Sequence, residues 1–396
     1  MADTITLEDG MLVTRTAITL ADGSNATRIS VPIVTAARTD TLAPADSAQI
    51  QIGQGLSSLP TGWGVTAITH EPYSLANTAT AIKAALKAVP GTITDNESAY
   101  FSRYTEKYLS TLSSESQVSV TTFSPITASN LPTDRIVLSG TAPQTVAIVD
   151  LSQTDAKSMV AVAPLFSLVT GEGTVSMLSD GAVAIGDDAS QAFINPNRGG
   201  TVYAGGGNDT LEFGFGLARI DSLFHGGTGF DTLYSDGSIE QHAGYVLVKG
   251  RGVTLKLVNV ERIVDYKGQY IDINVTTEQK AIATLYQNIL GRQADVGGFE
   301  YWDNQLKAGQ SLGQVAITMT RSTESGNTLF NGNTSHDLDT LYNVILKRPT
   351  DPIGKAYWSA QIDQGLQTLE QVAQGFVTSN ELTNAYLQQT DWNFLV

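Results

Sequence analysis

The residues best suited to chemistry in this chain are aspartates set among glycines. The run His225-Gly226-Gly227-Thr228-Gly229-Phe230-Asp231-Thr232-Leu233-Tyr234 contains a complete Gly-Gly-x-Gly-x-Asp-x-Leu-x nonapeptide. Ala204-Gly205-Gly206-Gly207-Asn208-Asp209-Thr210-Leu211-Glu212 matches it everywhere but at the first position. Glycine permits the positive-φ backbone that brings carbonyl oxygens close together. A carboxylate then completes an all-oxygen shell of the kind calcium prefers. The pattern assigns Gly205, Gly207, Asn208, Asp209, Gly227, Gly229 and Asp231 to such a metal site. A looser turn, Gly186-Asp187-Asp188, adds Asp188, and the Gly-x-Asp units ending at Asp188, Asp209 and Asp231 are spaced by about 21 and 22 residues, a workable solenoid coil. The competing reading is a set of ordinary Asp-Gly and Asn-Asp turns in a β protein.

Such turns need short strands to carry them. Leu211 and Leu233 would point inward from a parallel β-roll within a Gly/Asp-rich region, residues 166–273. That region ends in a hairpin pattern, Tyr245 to Val248 and Val253 to Leu257. Upstream, residues 1–165 carry β-prone runs at Met11–Thr14, Ile29–Val34, Val118–Thr122 and Thr145–Val149. Two helical stretches interrupt them. Ser74 to Val89 stops before Pro90, and Glu97 to Leu112 places Phe101, Tyr104, Tyr108 and Leu112 on one face, a core face or a binding platform. Residues 276–396 turn helical. The fold class is multidomain: a β-rich N-terminal region with two helices, a short parallel β-roll or solenoid, and an all-α C-terminal repeat pair.

The helical part is duplicated. Thr284-Leu285-Tyr286-Gln287-Asn288-Ile289-Leu290-Gly291-Arg292 returns as Thr340-Leu341-Tyr342-Asn343-Val344-Ile345-Leu346-Lys347-Arg348. Asp295, Tyr301 and Trp302 return as Asp351, Tyr357 and Trp358, and Gln314-Val315-Ala316 as Gln371-Val372-Ala373. Leu285 and Ile289 are expected inside, with Asp295 and Asp351 capping the next helix. The loop Arg and Asp have a second reading, as holders of an ion or a partner's carboxylate, and the Trp pair as sugar-stacking surfaces.

Composition narrows the function. Against 23 Lys plus Arg stand 39 Asp plus Glu, a net charge of −16, which disfavours nucleic acid and anionic lipid as partners. With no cysteine there are no disulfides, thiolate sites or thiol nucleophiles. The start of the chain lacks a basic, apolar leader, and no apolar run is long enough for membrane insertion. No His-Glu-x-x-His, Gly-x-Ser-x-Gly or phosphate-binding loop occurs, so no enzyme is expected. Paired carboxylates remain open, with Glu71, Asp95, Glu97 and Glu106 as candidates for a polysaccharide-acting hydrolase sited in residues 1–165.

The glycine–aspartate turns resemble the RTX family of calcium-binding proteins exported by type I secretion. Leu257-Val258-Asn259-Val260-Glu261-Arg262-Ile263 is similar to a strand that closes such regions, and Asp391-Trp392-Asn393-Phe394-Leu395-Val396 is similar to the family's uncleaved C-terminal export signal. The duplicated unit resembles a helical repeat of unassigned function found beside RTX repeats. In the family the nonapeptides follow one another directly; here they are isolated, which implies one or two partial sites. The resemblance implies calcium as cofactor, the type I secretion machinery as a partner, and a secreted, cell-surface location. Together these point to an extracellular structural protein, a surface-layer, filament, matrix or adhesin subunit that self-assembles as a homo-oligomer or polymer, with cell-surface glycan as a candidate ligand.

Overall fold

In the computed structural model, residues 3–382 are described apart from 21–22, 37, 39–46, 90–92, 129–133, 140–143, 156, 196–198, 217–219, 243–244, 274–275, 293, 295 and 327–328. The chain divides into two compact units, one of Met1–Ser238 with Val248–Asp272 and the other of Ile239–Leu247 with Ile273–Val396. The export-signal tail at Asp391 to Val396 lies outside the described residues. Among the described residues no helix is long and apolar enough to cross a membrane.

The first unit is built on two sheets. One opens as an antiparallel meander of Thr4–Glu8, Met11–Thr19, Asn25–Val31, Trp63–His70 and Gln117–Thr127. It then turns parallel, through Thr145–Asp150, Phe166–Thr170, Ala182–Ile185, Gly200–Tyr203, Ser222–His225 and Val253–Val258. The other starts from the hairpin Ser47–Ile52 and Gly55–Pro60, and its parallel strands run from Ile136–Leu138 to Arg262–Val264. From Gln117 to Tyr234 the chain visits the sheets alternately, so each circuit is one rung of a parallel β-roll. This roll is longer than its Gly/Asp signature: both sheets run without a break through the boundary expected at 165/166.

The reason is packing rather than turn chemistry. Val175, Phe193, Leu211, Leu233 and Ile263 are in register on successive strands and all are buried, an apolar column that needs no glycine. Ile148, Leu168, Ile185 and Tyr203 form a second column on the first sheet. The two expected helices, observed as Leu75–Lys87 and Asp95–Leu109, cover that column with Ile82, Leu86, Phe101 and Tyr104. The tyrosine stripe is therefore a core face: Tyr108 stacks on Phe166 with centroids 4.4 Å apart, and Tyr104 lies 4.0 Å from Tyr203.

The second unit holds the duplication: Thr277–Leu285, Val296–Lys307 and Leu312–Thr320, then Thr334–Ile345, Pro352–Asp363 and Leu369–Val377. Capping boxes start three of these helices, at Thr276/Gln279, Ser311/Gln314 and Thr368/Gln371, each N-cap contributing about 1 kcal/mol. Asp351 caps its helix by accepting from Gly354 N at 2.7 Å, as its position required, whereas Asp295 lies outside the described residues. One expectation fails. A π-turn at Tyr286–Leu290 rotates the first helix, so Ile289 is only half-buried and Asn288 turns inward, donating to Ile345 O at 2.8 Å.

Candidate metal centre

Register aligns three successive turns of the roll. Ile185, Tyr203 and His225 are partners on the entering strands, and Ala192, Thr210 and Thr232 on the leaving strands. The turns 186–191, 204–209 and 226–231 therefore stack residue on residue. Asp209 and Asp231 share the last turn position. Gln191 holds it one rung earlier and Glu261 one rung later.

A carboxylate ladder runs along this column. Gln191 N donates to Asp209 Oδ1 at 2.7 Å across 18 residues, and Asp209 N to Asp231 Oδ1 at 2.8 Å across 22. Asp231 N donates to Glu261 Oε2 at 2.7 Å. Each acid thus satisfies the backbone N–H of the rung before it. Asp188 is not in the column. It sits at the level of Gly206 and Thr228, exposed, with its own N–H directed to Glu97 Oε1 at 3.3 Å. The spacing from Asp188 to Asp209 is therefore not the stacking period.

Asn208 links neighbouring turns. Its N donates to Ser190 Oγ at 2.8 Å and its Oδ1 accepts from Phe230 N at 2.9 Å. Gly205, Gly207, Gly227 and Gly229 have φ of 100°, 94°, 105° and 130°. Gly229 shows why glycine is required: a Cβ there would overlap the Gly207 carbonyl oxygen, and one at Gly227 the Gly205 carbonyl oxygen. The turns pack backbone against backbone, with no room for a side chain.

The electrostatics of the column are unbalanced. Asp209 and Asp231 are fully buried, and Oδ2 of each has no hydrogen-bond partner. Burial pushes Asp209 up to about 9 and Asp231 up to about 7, with neighbouring carboxylates adding to the rise. A buried acid in this condition takes up either a proton or a cation. Among the described residues no three His, Asp or Glu side chains converge as a metal cluster. A cation here would draw on Asp209 and Asp231 Oδ2 together with the backbone carbonyls of the glycine turns. This donor set is all oxygen and anionic, which fits calcium and would neutralise the column.

Sequence reasoning missed Gln191 and Glu261. Their turns lack the nonapeptide, and Ser238–His242 and Tyr245–Gly250 lengthen the last circuit, which hides the repeat. It also missed Asp187, a buried acid whose carboxylate accepts from Gly171 N at 2.7 Å and Ala189 N at 3.0 Å. The hydrolase candidates are not gathered together. Glu71 lines a cleft of about 470 Å³ with His70, Thr121 and Thr145. Asp95 and Glu106 are exposed on their helix, while Glu97 accepts from Thr94 N in its capping box.

The loop arginines of the duplicated unit act structurally. Arg348 donates to Glu381 from Nε at 2.5 Å and from Nη2 at 3.0 Å, with its guanidinium 4.9 Å from the Tyr342 ring. Arg292 repeats the clasp with Glu324 and Tyr286. Trp358 packs on Phe376, centroids 5.8 Å apart.

Residues 267–329 and 331–386 match the profile of a family described as a domain of unknown function (DUF4214), so the duplicated C-terminal unit is a tandem of that domain. No curated protein and no solved structure matches the chain.

Proposed function

We propose that the chain is a secreted, calcium-binding structural protein of the cell surface, of the RTX type and exported by a type I system, that self-assembles once calcium orders its β-roll. The observation that carries this reading is the pair of buried acids, Asp209 and Asp231, each with one unpartnered oxygen inside a glycine turn that excludes side chains. A site of this kind, with a dissociation constant on the order of 10⁻⁴–10⁻³ M, stays empty in the cytosol and fills outside the cell, where binding is folding free energy. Self-association has its own support. Thr4–Glu8 ends the first sheet, and Ile5, Leu7 and Leu12 on it and its neighbour are 62%, 72% and 61% exposed. An apolar edge strand pairs readily with another chain. Calcium would also reduce repulsion between copies that each carry −16.

The test is light-scattering mass and melting temperature in chelator and in millimolar calcium. Calcium should raise both. A protein whose melting and mass ignore calcium is not what we propose. For export, deleting Asn393 to Val396 should retain the protein in cells, and normal secretion of that truncation would remove the type I assignment.

A further inference from the structure

The duplication produces a second candidate site, with no part in calcium binding. Helices Leu312–Thr320 and Leu369–Val377 pack so closely that a Cβ at Gly313 would overlap the Glu370 carbonyl oxygen. Beside this contact lies an open groove of about 730 Å³ lined by polar residues from both copies of the repeat. Ser311 and Gln314 face it from one copy, and their equivalents Thr368 and Gln371 from the other.

The glutamines are held in one orientation. Gln314 Oε1 accepts from Ser311 N at 2.9 Å and Gln371 Oε1 from Thr368 N at 2.8 Å, as capping boxes. Gln374 Oε1 accepts from Gly313 N at 2.7 Å. A backbone N–H can be answered only by the amide oxygen, so each of these groove-lining side chains keeps its NH2 out of that bond. Three pre-oriented amide donors therefore line one surface, joined by the Arg321 guanidinium. Glu370 lies 3.9 Å from Arg321 and leaves the groove without net charge. Its apolar contribution is Ile317, which is buried in the floor.

Such a surface selects its ligand by chemistry. The amide NH2 groups and the Arg321 guanidinium donate, while the Glu370 carboxylate and the Ser311 and Thr368 hydroxyls can accept, so the surface suits a ligand that carries hydroxyl groups together with acceptor oxygens for the amides. It offers no apolar pocket, so it cannot anchor the side chains through which peptides are usually read. We propose that this groove binds a saccharide carrying carbonyl oxygens, as an acetamido or a carboxylate substituent, with the NH2 groups of Gln314, Gln371 and Gln374 donating to those oxygens. This goes beyond the calcium reading and uses that reading only in placing the ligand outside the cell.

Calorimetry on the full chain tests it, using an N-acetylglucosamine tetramer, a galacturonate tetramer and, as a carbonyl-free control, a glucose tetramer. Whichever of the first two binds identifies the substituent. The informative variants are Gln314→Glu and Gln371→Glu, because glutamate still accepts the capping N–H but loses the NH2 donor. Each should weaken binding about tenfold or more, with melting temperature unchanged. Binding in chelator should equal binding in calcium, so failure here leaves the calcium reading untouched, and the reverse. The inference is overturned if neither carbonyl-bearing tetramer binds, if the glucose tetramer binds as tightly, or if both variants bind like the parent protein.

Discussion

The β-roll and the helical tandem both repeat a charged group, and they treat it in opposite ways. In the roll the repeated group is an acid, buried in a column with no basic partner, its neutrality left to a proton or a cation. In the tandem it is an arginine in a two-pronged clasp with a glutamate, and Arg348 and Glu381 keep 38% and 46% of their side-chain surface in water. The clasp neutralises itself wherever the protein is. The column cannot, and so only the roll should respond to its surroundings.

The strongest way to break this contrast is to disturb the backbone stacking of the roll. Gly229→Ala must displace the Gly207 carbonyl and adopt a positive φ, which should cost about 3 kcal/mol or more. Chemical denaturation should show the loss in the first unit, with helical content of the second retained. Next comes the column itself. Asp231→Ala should remove most of the calcium-induced rise in melting temperature, about 2–3 kcal/mol at calcium well above the dissociation constant. An equal response in the variant would mean that the column is not the site.

The pH dependence sharpens the comparison. In chelator, the raised values of Asp209 and Asp231 mean that the folded roll holds protons the unfolded chain has released. That contribution is fully present below about pH 4, the ordinary carboxylate range. It is lost as pH rises through about 7 and about 9. Calorimetric melts should show calcium-free stability falling over this interval, and saturating calcium should flatten the slope. The tandem moves the other way. Arg348 holds Glu381 below its usual range, so its contribution is present at neutral pH and lost only in acid.

The smallest effects should come from the exposed charges. Arg348→Met should cost under about 1 kcal/mol because its pair is half in water. Asp188→Ala, outside the column, should leave the calcium response near that of the parent. A calcium response lost in Asp188→Ala and kept in Asp231→Ala would invert the assignment.

Much of this was legible from residue types. Glycines at 205, 207, 227 and 229 announced positive-φ turns, and all four have positive φ. Helical spacing and the stop at Pro90 placed both N-terminal helices to within a few residues. The duplication was visible in full, because its residues repeat at a nearly constant offset. The upstream rungs of the roll were not legible. Strands such as Ile136–Leu138 and Met159–Val162 stack through side chains that many sequences supply, and their turns lack the nonapeptide.

What the amino-acid sequence determined by itself were features set within a few residues: the positive-φ glycine turns, the Asp351 helix cap and the inward-facing Leu211 and Leu233. Tertiary structure alone decided which residue stands over which. Circuits of unequal length bring Gln191, Asp209, Asp231 and Glu261 into one column and leave Asp188 outside it. Parallel pairing of the flanking strands, with the apolar column buried between rungs, sets that register. Only burial within the stacked column then turns two ordinary aspartates into acids that must find a proton or a cation.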